Sequence, residues 1–198
     1  MTDVLLGKIN PCGKLPVTFP VRLEDNPSYY HYPGGNDRVY YGEGIFLGYR
    51  HYDKILSQPL FPFGHGLSYT VFSYANLTLS NDKFSSPESN ITVSVDVTNT
   101  GSMAGKEVVQ FYVSQTSKSG LIRPVRELKG FDKIYIEPGQ TMTATALLDK
   151  VAVSYWDDGP HCWRADADAT FLVEAASSSR NIKCASRFKT GGGFLWVN

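Results

Sequence analysis

The sequence predicts an all-β fold, two antiparallel sheets packed face to face from about residue 74 onward, behind an irregular N-terminal segment. Three observations carry this expectation. Of 198 residues, 18 are glycine, 11 proline, 12 tyrosine and 11 phenylalanine, while long runs of helix formers are scarce. After Tyr74, short stretches of apolar–polar alternation recur, and most are bounded by turn signals. Before Tyr74, neither a helical nor a strand period can be followed for long.

In chain order, "NPCGKLPVTFP" carries prolines at 11, 16 and 20, which break any helix and leave a short extended piece, Leu15 to Phe19. "SYYHYPGGNDRVYYGEG" reads as a tyrosine-rich loop. "YYGEGIFLGYRHYDK" is expected to lie outside regular structure, and "SQPLFPFGHGLSYTVF" to run extended across a surface. The strands then follow. "YANLTLS" offers Leu77 and Leu79. "NITVSVDVTNTG" sets Ile91, Val93, Val95 and Val97 on one face and ends in a turn at Asn99-Thr100-Gly101.

"EVVQFYVS" sets Val109, Phe111 and Val113 against Val108, Gln110 and Tyr112. "RELKGFDKIYIEPGQ" has a bulge candidate in Gly130 and closes on Glu137-Pro138-Gly139-Gln140, the chemistry of a type II turn. "TMTATALL", "ATFLVEAA" and "NIKCASRF" complete a set of seven strands. "DDGPHCWRADADA" is expected to be a solvated inter-strand loop, and "GGG" at 191–193 a flexible turn before a C-terminal tail.

The charges balance, 19 basic against 19 acidic, with no block of one sign, so neither a nucleic-acid footprint nor a basic membrane face is expected. No apolar run approaches the roughly 20 residues of a membrane span, and that in "MTDVLLGKINPCGK" is too short for a signal-peptide core. Cys12, Cys162 and Cys184 are odd in number and widely spaced. Isolated thiols are expected, and a Cys162–Cys184 bridge only if two strands bring them together. No metal-ligand spacing occurs and no cofactor is implied.

Chemistry candidates are few. Glu43 and Asp53 form a local carboxylate pair of the kind a glycosidase needs, and the tyrosines around them could stack on sugars. The plainer reading is that Glu43, Arg50 and Asp53 pair among themselves to peg a loop, and this is preferred. "GLSYT" lacks the second glycine of a nucleophile elbow. Trp156 and Trp163 could form a sugar platform or simply cover one end of the sandwich. Asn76-Leu77-Thr78 and Asn90-Ile91-Thr92 are N-glycosylation sequons, relevant only in the secretory pathway.

"DVLLGKINPCGKLPVTFP", "YYGEGIFLGYRHYD" and "PLFPFGHGLSYTVFSY", in that order, resemble the C-terminal part of a family 3 glycoside hydrolase, a β-glucosidase of fungal or yeast type. "VTNTGSMAGKEVVQFYVS", "RPVRELKGFDKIYIEPGQ" and "VSYWDD" resemble the fibronectin type III-like, immunoglobulin-like domain that closes many such enzymes. The resemblance implies four parts: residues 1–20 as a remnant of the last strand region of an α/β sandwich domain, 21–73 as an aromatic-rich connector or strap, 74–190 as the fibronectin-like domain, and 191–198 as a tail. It also implies that Tyr41, Glu43, Phe46, Arg50, Tyr52, Asp53, Phe61 and Phe63 pack between domains.

The family's nucleophilic aspartate lies on a (β/α)8 barrel and its acid/base glutamate on the α/β domain. Both precede the motif that begins here, so no catalytic residue carries over, and Cys12 stands where the motif commonly has serine. The implied partners are those upstream catalytic domains, and a β-glucoside only through them. The parent family is often secreted. The rival expectation is a standalone carbohydrate- or protein-binding β-sandwich module.

Overall fold

The computed structural model describes residues 2–117, 119 and 121–197. Two short helices, α1 (Thr2–Leu5) and α2 (Tyr49–Lys54), precede the strands. These are β1 (Phe72–Leu79), β2 (Lys83–Phe84), β3 (Ile91–Asn99), β4 (Gly105–Gln115), β5 (Glu127–Ile136), β6 (Thr141–Leu148), β7 (Tyr155–Asp157), β8 (Cys162–Ala165), β9 (Thr170–Ser178), β10 (Asn181–Thr190) and β11 (Phe194–Trp196). The sandwich has one sheet of order β1-β3-β6 and one of order β2-β10-β9-β4-β5, and a third, small sheet has the order β11-β8-β7; all pairs are antiparallel except β2 with β10.

The seven predicted strands are present as β1, β3, β4, β5, β6, β9 and β10. Alternation is why they pair this way. Ile91, Val93, Val95 and Val97 of β3 are fully buried, facing Val109, Phe111 and Val113 of β4 and Phe171, Val173 and Ala175 of β9 in one shared core. Phe171 stacks on Phe188 at 5.4 Å, and Phe84 tilts against Phe188 at 5.9 Å. Burial of rings this size contributes about 1.5–3 kcal/mol each.

Two predicted local features hold. The Gln140 amide donates to the Glu137 carbonyl at 3.0 Å with Gly139 at φ +75°, as a type II turn requires. At Gly130 the β4–β5 register slips, because Phe111 faces Gly130 while Tyr112 faces Leu128. A Cβ there would sit 2.7 Å from that of Ala146, so glycine lets β5 approach β6.

Other expectations are corrected. "DDGPHCWRADADA" is only partly a loop: Asp157 ends β7 and Cys162–Ala165 form β8, a hairpin closed by an Asp157–Arg164 ion pair at 2.8 Å, with turn residues on either side of β8. The expected tail supplies β11, which pairs with β8 and stacks Trp196 on Trp163 at 5.4 Å. Its tryptophans find partners only across strands, which the polar spacing conceals. "YYGEGIFLGYRHYDK" contains helix α2, six residues long and too short to show a period.

Asn99, expected in a turn, is fully buried at the end of β3. Its amide oxygen accepts from Thr70 Oγ1 at 2.6 Å, and its nitrogen donates to the carbonyls of Met103 (2.8 Å) and Ile136 (3.0 Å). All three cysteines are free, so Cys162 and Cys184 are not bridged. Asn76 and Asn90 are exposed, Asn76 at φ +53° in a bulge of β1. Among the described residues no helix is long and apolar enough to cross a membrane.

Candidate functional site

The outer face of β4 and β9 is where the segment before Tyr74 meets the sandwich. Leu15 and Phe19 first pair with the returning chain: the amides of Leu15 and Phe19 donate to the carbonyls of His65 and Phe61, each at 2.8 Å. This ladder carries "PFG" across the sheet. The Ser179 amide donates to the Phe63 carbonyl at 2.9 Å, and Gln110 Nε2 donates to the carbonyls of Gly64 (3.3 Å) and Ser177 (3.0 Å). Gly64 sits at φ +77°, and a side-chain carbon there would collide with Gln110.

Helix α2 then lays Tyr49 over the sheet. Its ring stacks on Phe63 at 5.0 Å and meets Tyr112 edge-on at 5.8 Å, while its hydroxyl accepts from the Leu128 amide at 2.8 Å. The buried Tyr112 hydroxyl donates to Gln110 Oε1 at 2.6 Å, and burial raises its pKa above the ordinary phenol value.

Beside these rings lies a charge network. Asp53 is 5% exposed, with Arg180 Nε at 2.8 Å and Arg126 Nε at 3.8 Å. Arg126 also reaches Glu174 at 3.6 Å, and Arg50 reaches Glu127 at 3.0 Å. Burial raises the Asp53 pKa against the pull of Arg180 and Arg126, and one of its oxygens, Oδ2, has no hydrogen-bond donor. Glu174 is raised in the same way, by burial first, with Arg126 opposing and Asp53 adding to it.

The residues singled out from the sequence therefore divide. Arg50, Tyr52, Asp53 and Phe63 turn inward, with Tyr52 only 3% exposed. Glu43 and Phe46 are half-buried, Glu43 with one unpartnered carboxylate oxygen and Phe46 beneath the Lys54 ammonium at 5.7 Å. Tyr41 (82% exposed) and Phe61 (41%) face outward. Asp53 is held between two guanidinium groups, those of Arg180 and Arg126, while Glu43 lines a separate cleft with Tyr49, Arg50 and Tyr52.

Sequence reasoning named Tyr49 only among the rings that could stack on sugars, and missed the roles of Gln110, Tyr112, Arg126, Glu174 and Arg180. A signal existed for β4: "VVQFYV" is nearly continuously apolar, as expected of a strand covered on both faces.

Two family models match the chain, the glycosyl hydrolase family 3 C-terminal domain over residues 1–49 and the fibronectin type III-like domain over residues 107–179. The thermostable beta-glucosidase B of Acetivibrio thermocellus is 50% identical over 182 residues, covering 92% of this chain. The chain belongs to glycosyl hydrolase family 3. A probable beta-glucosidase I of Aspergillus fumigatus is 48% identical over 191 residues.

Among solved structures, the beta-glucosidase of Kluyveromyces marxianus in complex with glucose superposes with a TM-score of 0.88 at 40% identity, covering 98% of this chain and 23% of that one. Beta-glucosidase 3B of Thermotoga neapolitana superposes at 0.89 with 36% identity, covering 99% of this chain and 27% of that one. The family 3 chain spans about a quarter of the length of these relatives, 24% of the Acetivibrio protein and 22% of the Aspergillus one.

Proposed function

We propose that this family 3 chain is the C-terminal scaffold of a retaining β-glucosidase, an enzyme of carbohydrate metabolism that removes terminal β-D-glucosyl groups. The observation that carries it is an alignment with named β-glucosidases over nearly the whole chain. The sandwich is the fixed body. The strap, 21–73, is bonded to it on one side and turns an apolar side outward, Tyr30, Tyr32, Tyr40, Tyr41, Leu47 and Phe61 among it. We assign that outward side, together with Glu43 and Phe46, to contact with the catalytic barrel and α/β domains. Retaining chemistry needs two carboxyl groups about 5–5.5 Å apart across the substrate, and those domains would supply them.

The second reading, a standalone binding module, draws support from the inward half of the strap, since Tyr49, Tyr52, Asp53 and Phe63 already have partners here. Hydrolysis of an aryl β-glucoside separates the two. The purified chain should show none, and mixing it with a separately expressed barrel and α/β portion should raise that portion's activity. No gain on mixing would favour the standalone module. Hydrolysis by the chain alone would overturn the scaffold role.

A further inference from the structure

A pocket beside the small β7-β8-β11 sheet is left unused by the scaffold role. Its volume is about 370 Å³, and its lining combines Tyr155, Trp156 and Trp163 with Arg50, Arg123 and Lys129. Small-molecule sites begin at about 300 Å³ and pair apolar walls with a few fixed polar groups.

The aromatic wall is held in place from behind. Trp163 is sandwiched by the stacked Trp196 at 5.4 Å and the edge-on Trp156 at 5.8 Å. Trp156 is fixed by its indole N–H donating to Asp158 Oδ1 at 2.8 Å, yet it remains 46% exposed. Flat, rigid and half-open, it presents a face on which another ring can stack.

The charges do not balance. Among the described lining residues, three cations share one carboxylate, that of Glu127, which takes Arg50 at 3.0 Å and Lys129 at 3.5 Å. Arg123 hydrogen-bonds to neutral groups, the Gln115 side-chain oxygen and the Ser154 carbonyl. Arg50 Nε is buried with no acceptor. The Lys129 side chain is only 13% exposed. Burial lowers its pKa, Glu127 opposes the shift, and repulsion from Arg123 and Arg50 adds to it. Around Asp53, by contrast, two arginines meet two carboxylates. Asp166 also acts on Arg123 from outside the pocket, but the lining itself sets one carboxylate against three cations.

We propose that this pocket is an accessory binding site for a ring-shaped carboxylate, and specifically for an acidic sugar of the uronate class. Its ring would lie on the open face of Trp156, beside Trp163, and its carboxylate among Arg50, Arg123 and Lys129. An aromatic acid presents the same chemistry, a flat face with one carboxylate, and is the other source of such a ligand. The inference does not depend on the scaffold role.

The test is a titration of the full 198-residue chain with methyl β-D-glucuronide, methyl β-D-glucoside and benzoate, read at the tryptophan indole N–H signals by NMR. The glucuronide should move the Trp156 and Trp163 signals and bind about tenfold more tightly than the glucoside, a preference that fades as salt is raised. Lys129→Met should abolish the preference. Trp156→Ala, at a position 46% exposed, should weaken glucuronide binding by about tenfold while the Trp196 indole signal stays in place, showing the small sheet still folded. Benzoate binding alone would keep the carboxylate site and assign it to aromatic acids. Equal affinity for glucoside and glucuronide, or unmoved Trp156 and Trp163 signals with all three probes, would overturn the proposal.

Discussion

The sandwich and the strap obey different rules of burial. In β3 every second residue is sealed, and the sealed set is continuous with that of the opposite sheet. In the strap, burial follows no period: Tyr49, Tyr52, Asp53 and Phe63 go in, while Tyr30, Tyr32, Tyr40 and Tyr41 stay out, at 86%, 78%, 64% and 82% exposure. A strand buries one face because its geometry alternates side chains. A strap buries whichever groups its template happens to receive. The sandwich thus brings its own core, and the strap borrows a surface.

The largest expected effect lies in the sandwich. Phe111 is fully buried between the sheets, and Phe111→Ala should cost about 3–5 kcal/mol, because the cavity left behind adds to the lost transfer energy. Urea denaturation would show it as a lowered midpoint shared by every probe. If strap and sandwich signals instead melted separately, the strap would not be templated by this sheet.

A smaller and more local effect is expected at the charge network. Asp53→Ala leaves Arg126 and Arg180 facing each other. Both are partly solvated, with side chains 20% and 27% exposed, so the expected cost is about 1–3 kcal/mol rather than that of a fully buried pair. Amide exchange should quicken in helix α2 and stay unchanged in β3 and β6. The pH dependence has a definite sign. Asp53 and Glu174 have folded pKa values above their unfolded ones. Their contribution is therefore fully present below the unfolded carboxylate pKa and is lost as pH rises through the folded values. Moderate acidification should raise the protection factors of α2, exchange being referred at each pH to the open-chain rate, and Asp53→Asn should flatten that response. A helix that loosened on acidification instead would mean that the arginines, not burial, dominate at Asp53.

How far the sequence could be read follows from the same contrast. The seven long strands and the type II turn were legible because each depends on neighbours in sequence. Helix α2 was not, since six residues show no period and its stability comes from Tyr49 packing on Tyr112 and Phe63. Nor was the β7-β8-β11 sheet, whose strands of three and four residues are held by a tryptophan stack contributed from 33 residues away, Trp163 to Trp196. The network at Asp53 was half visible. Glu43, Arg50 and Asp53 were expected to pair locally, but Arg50 and Asp53 reach across to Glu127, Arg126 and Arg180, residues that only the tertiary fold brings near.

The smallest effect on this chain is expected where the strap faces outward. Tyr41 is 82% exposed, so Tyr41→Ser should change the stability of the chain by no more than about 0.5 kcal/mol, the usual range for surface positions. If that side of the strap docks upstream domains, the same substitution should weaken complementation in the mixed hydrolysis assay, lowering activity at limiting chain concentration and recovering at excess. A neutral result in both measurements would remove Tyr41 from the docking surface and shift it towards Phe61 and Leu47. A large loss of stability in the isolated chain would mean that the outward tyrosines pack on this sandwich after all, and that the strap is closed on both sides.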